Sequence, residues 1–210
     1  MMDSRDNMIQ TQLRGRDITN PRVLQAMREV DRALFVPSSV RHRAYDDGAL
    51  PIGQNQTISQ PYIVAYMAQG LDLQPHEKVL EVGTGCGYNA AVLSRLADHV
   101  YSVEIIQWLA QLARENLQQA GITNVSTRHD DGYKGWPEQA PFDKIMITAA
   151  TPYVPEPLKK QLKTGGNLMV PVGTSFQKLL LLEKLDENVF EEHSLINVRF
   201  VPLTGKVQRE

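Results

Sequence analysis

Hydrophobic positions in the first part of the chain recur at helical spacing. Val23, Met27 and Val30 would share one face of a helix that Asn20 caps and Pro21 begins. The motif "VPSS" then interrupts this pattern. Apart from such breaks, the first 70 residues are predicted to be helical.

A second N-terminal helix is predicted for "PYIVAYMAQGL", which begins at Pro61 with Ser59 or Gln60 at its start. The segment around this start is unusual, because no charged residue occurs between Asp47 and Asp72. Its polar part, "GQNQTISQ", would be costly to place in lipid. The segment is therefore predicted to be a lid over a binding site and a helix start, and not a membrane span.

From residue 78 onward, short apolar runs alternate with amphipathic segments. In chain order the pattern predicts strand 78–82, helix 88–97, strand 99–104, helix 107–121, strand 124–129, strand 143–148, helix 155–166 and strand 167–173. Two strand-like runs, "QKLLLLEKL" and "LINVRFVPL", then follow with no helix between them. The predicted fold class is α/β, with a doubly wound Rossmann-like sheet that is mostly parallel, a C-terminal antiparallel strand pair and an N-terminal helical extension.

Composition fits a water-soluble chain with one α/β domain. Of the 210 residues, 42% are hydrophobic and 22% are charged, and the net charge is -2. The first 43 residues carry 8 Arg against 5 acidic residues, which is typical of a solvated helix surface. With one cysteine and no visible signal peptide or apolar span, we expect a cytoplasmic protein that binds neither membrane nor nucleic acid.

Three glycines, Gly83, Gly85 and Gly87, separate a predicted strand from a predicted helix. A glycine pattern alone is weak evidence, and a tight turn without a ligand would also produce it. In open α/β sheets, however, ligands bind at the carboxyl ends of the strands. The loop therefore predicts a nucleotide-type cofactor.

The charges around this loop favour S-adenosylmethionine over a nicotinamide dinucleotide. The dinucleotide pattern G-x-G-x-x-G needs a third glycine where this chain has Tyr88, and Glu81 would repel a pyrophosphate but tolerate a sulfonium. Glu104 ends the next strand and could accept from both ribose hydroxyls, while Asp131 could accept from the adenine amine beside Gly132. A dehydrogenase, or a binding module that keeps the pocket without catalysis, stays open at this point.

Six segments in order resemble the protein-L-isoaspartate O-methyltransferases: "LPIGQNQTISQPYIVAYM", "VLEVGTGCGYNAAVL", "VYSVE", "DDGYKGW", "PFDKIMITAA" and "FVPLTGK". The resemblance covers roughly residues 20 to 206. It implies methylation of the free carboxylate of isoaspartyl residues in aged proteins and peptides, with S-adenosylhomocysteine as the second product and a succinimide forming from the ester. It also implies a catalytic role for Ser59 and cofactor contacts from Thr57, Ile58, Glu81, Gly83, Thr84, Gly85, Glu104, Asp131 and Gly132; Thr204 matches a threonine found in relatives.

Three residues depart from the pattern that is common in this family. Asn55, Cys86 and Asp130 stand where glycine, serine and glycine are common. Asn tolerates left-handed backbone angles, so the loop around Asn55 can keep its shape. Cys86 begins a predicted helix, where thiol pKa values tend to fall, although a structural thiol is the simpler interpretation. Asp130 leaves open which of two adjacent acids faces the adenine, and alignment favours Asp131.

The proposed reaction explains why the uncharged segment contains no acid or base. A substrate carboxylate is already ionised at pH 7, so neutral donors such as Ser59 and Thr57 need only orient it. A cationic partner would hold the ground state too strongly, because the carboxylate loses its charge in the reaction. The alternative for Ser59 is a helix cap with no chemical role.

Other predictions concern partners and organisation. We expect residues 1–72 to form a helical region that covers the substrate and residues 73–210 to form the methyltransferase core, together one functional domain and a monomer. A nucleic-acid methyltransferase is a further alternative, but Ala150 stands where such enzymes need a side-chain acceptor. No metal site is expected, because the five histidines show no ligand spacing.

Overall fold

The computed structural model describes residues 4–208. Its helices are α1 Ser4–Met8, α2 Pro21–Glu29, α3 Pro61–Leu71, α4 Tyr88–Leu93, α5 Gln107–Gln119 and α6 Glu156–Gln161. Its strands are β1 Leu50–Gly53, β2 Gln56–Ile58, β3 Lys78–Val82, β4 His99–Glu104, β5 Val125–His129, β6 Phe142–Ile147, β7 Leu162–Val172, β8 Gln177–Asp186 and β9 Val189–Val198. A π-helical turn, Ile9–Arg14, follows α1.

The seven-stranded sheet has the order β5-β4-β3-β6-β7-β8-β9. Neighbouring strands from β5 to β7 are parallel, and β8 and β9 add in antiparallel orientation. This confirms the predicted fold class. The chain runs outward from β3 to β5 and then returns to β6 on the other side of β3. The carboxyl ends of β3 and β6 therefore form the topological switch point, where α/β sheets bind their ligands.

The first predicted helix is confirmed with its cap. The side chain of Asn20 accepts from the backbone N–H groups of Arg22 and Val23, and Pro21 occupies the first helical position. Arg22 then ties this helix to the core, because its guanidinium donates to the carbonyls of Leu73 at 2.6 Å and Leu96 at 2.7 Å. The first turn of the helix is thus both capped and anchored to the core.

The prediction of helix up to residue 70 is wrong between residues 50 and 58. There the chain forms the antiparallel hairpin β1–β2, with Leu50 and Ile52 buried on one face. Gln54 and Asn55 turn the chain with φ of 53° and 56°. Two alternating apolar residues are too short a run to distinguish a strand from a loop in the sequence, so the hairpin went undetected.

The second predicted helix is confirmed as α3, but no side chain caps its N-terminus. Gln60 is the N-cap residue. The alternative in which Ser59 serves only as a helix cap is therefore wrong.

Two boundaries near the C-terminus also differ from the prediction. Helix α6 ends at Gln161, and β7 begins directly at Leu162, whereas the sequence predicts a helix through Gly166. Gly165 has φ of 79° inside this extended segment, so the two glycines belong to an irregular strand and not to a helix cap. Strand β9 occupies Val189–Val198, earlier than expected.

A hydrophobic core continues from the N-terminal helices to one face of the sheet. Buried residues of α2 and α3, such as Met27 and Met67, belong to the same cluster as Val79 of β3 and Leu93 of α4. The other face of the sheet is covered by a second cluster that includes Leu158 of α6. In the part of the chain that the structure describes, no helix is long and apolar enough to cross a membrane.

Candidate active site

The glycine loop after β3 has the backbone geometry that only glycine adopts readily. Gly83, Gly85 and Gly87 have φ of 100°, 55° and 89°. A Cβ atom added to Gly83 would lie 2.5 Å from Oγ1 of Thr148, which follows β6. The loop is thus held against the end of the neighbouring strand, and its shape leaves a recess at the switch point.

Glu104 stands at the end of β4 and faces this loop. One carboxylate oxygen accepts from the N–H of Gly85 at 2.8 Å, and the other accepts from the N–H of Ile106 at 2.9 Å. The residue is buried yet lines the cleft. Each oxygen retains a lone pair, so this fixed carboxylate can accept two further hydrogen bonds from a ligand.

Glu81 lies beneath the loop, not on the wall of the cleft. It is fully buried and accepts from Nδ2 of Asn89 at 2.8 Å and from the hydroxyl of Ser102, the residue that pairs with it on β4. Burial raises the pKa of Glu81 to about 7, because its two hydrogen bonds only partly offset the loss of water. Glu81 does not line the cleft, but its partner Asn89 does. No pattern in the sequence predicts that Asn89 belongs to the site.

The two acids after β5 have separate surroundings. Asp130 accepts from the N–H of Asp131 at 2.8 Å and pairs with Arg128 at 2.9 Å and Lys134 at 3.2 Å. The N–H group of Asp131 and the two cations hold the pKa of Asp130 below its usual range. Asp131 instead accepts from the backbone N–H of Tyr133 at 3.0 Å and of Lys206 at 2.8 Å. Its carboxylate therefore fastens the C-terminal segment near the site.

A cleft of about 760 Å³, part of it open to solvent, extends from the glycine loop to the hairpin. Most of the predicted site residues line it: Thr57, Ile58, Ser59, Gly83, Thr84, Gly85, Glu104 and Gly132, together with Thr204. Glu81 and Asp131 do not. Residues 201–204 form the opposite wall because the segment pairs with the chain after β6, where Leu203 N–H donates to the carbonyl of Ala150 at 2.7 Å.

A second, more open cleft adjoins the first. The two share Thr57, Ser59, Thr148 and Val201, so these residues stand at the junction. The second cleft continues between a wall at residues 47–49 and a wall at residues 197–200. The sequence did not indicate this cleft, because its two walls are about 150 residues apart in the chain.

Ser59 at this junction has a free hydroxyl and an anchored backbone. Within residues 4–208 its side chain makes no hydrogen bond, whereas its carbonyl accepts from Nη2 of Arg32 at 2.9 Å. Thr57 beside it is exposed. Two hydroxyl-bearing side chains thus remain available to a ligand where the clefts meet.

Cys86 is a buried, structural thiol. Although it precedes α4, where thiol pKa values tend to fall, burial raises the pKa of its thiol to about 11, in agreement with the structural interpretation. The carbonyl of Cys86 accepts from Nδ2 of Asn116 at 2.9 Å, which joins the loop to α5. A thiol with this pKa is a poor nucleophile at neutral pH.

Glu183, Glu191 and His193 come together on the β8–β9 hairpin, with candidate ligand atoms within 4.8 Å of one another. The pairing is across strands, which is why ligand spacing along the sequence did not reveal it. None of the three lines either cleft. Exposed carboxylates often cluster in this way without a metal, and nothing connects this group to the site at the switch point.

A family model and the similar sequences all carry the same family name. Residues 3–208 match the family model described as protein-L-isoaspartate(D-aspartate) O-methyltransferase. The chain is 52% identical over 204 residues to protein-L-isoaspartate O-methyltransferase 1 of Syntrophobacter fumaroxidans, covering 97% of this chain and 95% of the relative. It is 51% identical over 203 residues to protein-L-isoaspartate O-methyltransferase 2 of Pelobacter propionicus, covering 96% and 90%.

Solved structures agree in fold. A protein-L-isoaspartate O-methyltransferase structure superposes with a TM-score of 0.89 at 30% identity, covering 97% of this chain and 67% of the other. A Plasmodium falciparum chain that carries the same class name, crystallised with S-adenosyl-L-homocysteine, superposes with a TM-score of 0.85 at 24% identity, covering 97% and 99%.

Proposed function

This chain belongs to the protein-L-isoaspartate O-methyltransferase family, and from that premise we propose how its two clefts divide the work of the reaction. The enzyme transfers the methyl group of S-adenosylmethionine to the free carboxylate of L-isoaspartyl residues in damaged proteins and peptides, which initiates repair through a succinimide. The first cleft holds the cofactor. The second cleft, which meets the first at Ser59, receives the substrate peptide.

The residues of the first cleft fit S-adenosylmethionine chemically. Glu104 offers two acceptor positions to the vicinal ribose hydroxyls from a carboxylate that its backbone partners already fix. The backbone of Gly83, Thr84 and Gly85 forms the wall for the methionine part, and the absence of side chains on the glycines gives close approach.

Other predicted cofactor residues have distinct positions around this cleft. Thr57 and Ile58 of β2 cover it from the hairpin side, and Gly132 lies at the adenine end. Asp131, adjacent to Gly132, accepts from the adenine amine in this proposal while it also holds Lys206. Glu81 contributes indirectly by fixing Asn89 below the cofactor.

When bound, S-adenosylmethionine supplies an electrophilic methyl group. The protein has no need of a general base, because an isoaspartyl carboxylate is ionised at neutral pH. We assign Ser59 the catalytic role of donating its hydroxyl to one carboxylate oxygen, so that the other faces the cofactor. The unpaired state of that hydroxyl within the described residues is the observation that carries this assignment. Thr57 supports the same oxygen from β2.

We propose further that residues 1–72 and 73–210 act as one functional domain in a cytoplasmic monomer that does not bind nucleic acid. The buried cluster shared by both parts and the net charge of -2 support these proposals. Light scattering of the purified protein at several concentrations tests the monomer directly, since a mass near twice 23.6 kDa would contradict it.

Transfer of a tritiated methyl group to an isoaspartyl peptide, beside its normal aspartyl twin, tests the proposed function. We expect labelling of the isoaspartyl peptide alone, and its loss on mild base treatment because carboxyl methyl esters hydrolyse. Equal labelling of both peptides, or labelling of neither with S-adenosylmethionine in excess, would contradict the assignment.

A further inference from the structure

Arg32 is a fully buried arginine whose charged group contacts backbone carbonyls. Its guanidinium donates to the carbonyl of Ala44, to that of Gly48 at 3.3 Å and to that of Ser59 at 2.9 Å. The Nε atom has no hydrogen-bond partner in the described chain. Burial of a cation is costly unless it is paired and hydrogen-bonded, so the placement of this side chain requires an explanation.

The three acceptors belong to segments that build the substrate side of the site. Ala44 and Gly48 flank the chain that leads into one wall of the second cleft, and Gly48 itself lines that cleft. Ser59 stands at the junction of the two clefts. A single planar group therefore sets the position of the candidate catalytic serine relative to the wall that faces the peptide.

The charge of Arg32 is not neutralised by an ion pair among residues 4–208. The carboxylate whose charge acts on it, that of Asp46, is engaged by Arg43 at 2.9 Å. The ring of Tyr88 lies 5.8 Å from the guanidinium carbon, and burial keeps this phenol neutral by raising its pKa. An arginine stays protonated in such surroundings even though burial lowers its pKa.

We infer that Arg32 is a positioning and specificity residue, whose buried charge attracts the anionic carboxylate of the substrate to Ser59 and whose hydrogen bonds hold Ser59 against the wall of the second cleft. This rests on the proposed function, in which an isoaspartyl carboxylate occupies that junction. The backbone of Ser59 separates the cation from the substrate, so the two attract without forming a direct pair.

This separation predicts an uneven effect on the kinetic constants. A charge that favours the substrate anion also favours the transition state, but less, because negative charge is being lost as the new bond forms. Removing the charge should therefore raise KM and change kcat little. Loss of position alone would do the reverse, since a displaced Ser59 would lower kcat.

Arg32→Met and Arg32→Lys test the inference, with Arg22→Met as the matched control. Arg22 also donates to two backbone carbonyls, but neither belongs to a cleft. At saturating S-adenosylmethionine we expect Arg32→Met to raise KM for an isoaspartyl peptide about 10-fold or more. We also expect it to lower kcat, because the variant loses the hydrogen bond to the Ser59 carbonyl together with the charge. Arg32→Lys keeps the charge and should recover most of the loss in KM, and Arg22→Met should leave KM unchanged.

A binding comparison isolates the charge itself and does not depend on whether the Met variant folds. In the wild-type protein with S-adenosylhomocysteine, an isoaspartyl peptide should bind about 10-fold more tightly than the neutral isoasparaginyl peptide, and Arg32→Lys should keep this preference. No preference in the wild type, or loss of the preference in Arg32→Lys, would overturn the inference. If the wild type methylates the isoaspartyl peptide normally in that case, the proposed function stands and only the role of Arg32 fails.

Discussion

Residues of the same chemical type in this site have different roles, because their hydrogen-bond partners and burial differ. Glu81, Glu104 and Asp131 are all acids at strand ends, yet one is buried with a pKa of about 7, one is fixed by two backbone N–H groups, and one fastens the C-terminal segment. Only Glu104 lines the cleft. The three should therefore respond differently to substitution.

Ser59→Ala should lower kcat roughly 10-fold or more and leave affinity for S-adenosylhomocysteine nearly unchanged, because the hydroxyl orients the substrate and not the cofactor. Steady-state methylation and calorimetric titration measure the two effects. Ser39→Ala, at an exposed position outside both clefts, is the control. Unchanged turnover in the Ser59 variant would remove its hydroxyl from the mechanism.

Glu104→Gln should weaken binding of S-adenosylhomocysteine by about 10-fold or more. The amide cannot accept at both positions, so one of the N–H groups of Gly85 and Ile106 loses its acceptor and one ribose hydroxyl loses a charged partner. Asp130→Asn is the control, because Asp130 pairs at the surface. Wild-type affinity in the Glu104 variant would count against the ribose assignment.

Glu81→Gln should change how stability depends on pH. The folded protein holds a proton on Glu81 up to a pKa of about 7, whereas the unfolded chain releases it near 4.5. Between these values the folded state binds more protons, so this group's contribution is greatest below pH 4.5 and is lost as the pH rises through 7. The difference corresponds to about 3 kcal/mol.

The glutamine variant retains the hydrogen bonds, since its amide can accept from Asn89 and donate to Ser102. Urea unfolding at pH 5 and pH 8 should therefore show the variant gaining stability relative to the wild type at the higher pH. A difference that stays constant between the two pH values would contradict a raised pKa for Glu81.

Among the elements, the hairpin β1–β2 determines whether the two clefts are complete. It carries Thr57 and leads into Ser59. Its Gly53 packs against Trp108 at the start of α5, and a Cβ atom added to Gly53 would lie 3.1 Å from the indole ring. Trp108 is half-exposed, at 51%. The ring therefore supports the hairpin from the side of the sheet that also presents Glu104.

Trp108→Ala should weaken binding of S-adenosylhomocysteine by several-fold and lower turnover as well, because the hairpin loses its support over the cleft. Leu185→Ala is the control, since Leu185 is similarly exposed, at 49%, and lines neither cleft. Calorimetry and steady-state kinetics measure the effect. If both variants match the wild type, the hairpin does not depend on Trp108.

At the scale of the whole molecule, the N-terminal helices and the sheet share one core. Met27 of α2 is fully buried, and its sulfur accepts from the hydroxyl of Tyr88 in α4 at 3.8 Å. Arg22 joins the same helix to the loops at Leu73 and Leu96. Residues 1–72 and residues 73–210 should therefore unfold together.

Met27→Ala should lower the free energy of unfolding by about 3 kcal/mol in a single transition. Far-UV circular dichroism and tryptophan fluorescence should shift together, because both tryptophans belong to the part after residue 72. Met27→Leu, which conserves volume, should cost less than about 1.5 kcal/mol. Two separated transitions would show that the N-terminal region folds independently.

The sequence by itself determined the features that depend on local pattern. The β3, β4, β5 and β6 runs, the glycine loop, the cap of α2 and the family motifs are all contiguous, so periodicity and residue type were sufficient to predict them. The β1–β2 hairpin and the β7 start were missed because short extended segments have no distinctive pattern without their pairing partners.

Tertiary structure decided what depends on residues distant in sequence. It placed Glu81 below the cleft, joined residues 47–49 to residues 197–200 as walls of one groove, and put Arg32 behind Ser59. Burial and the identity of each hydrogen-bond partner arise only when separate segments pack together. The sequence therefore determined which chemistry the chain carries, and packing decided which groups face the ligand and which hold those groups in place.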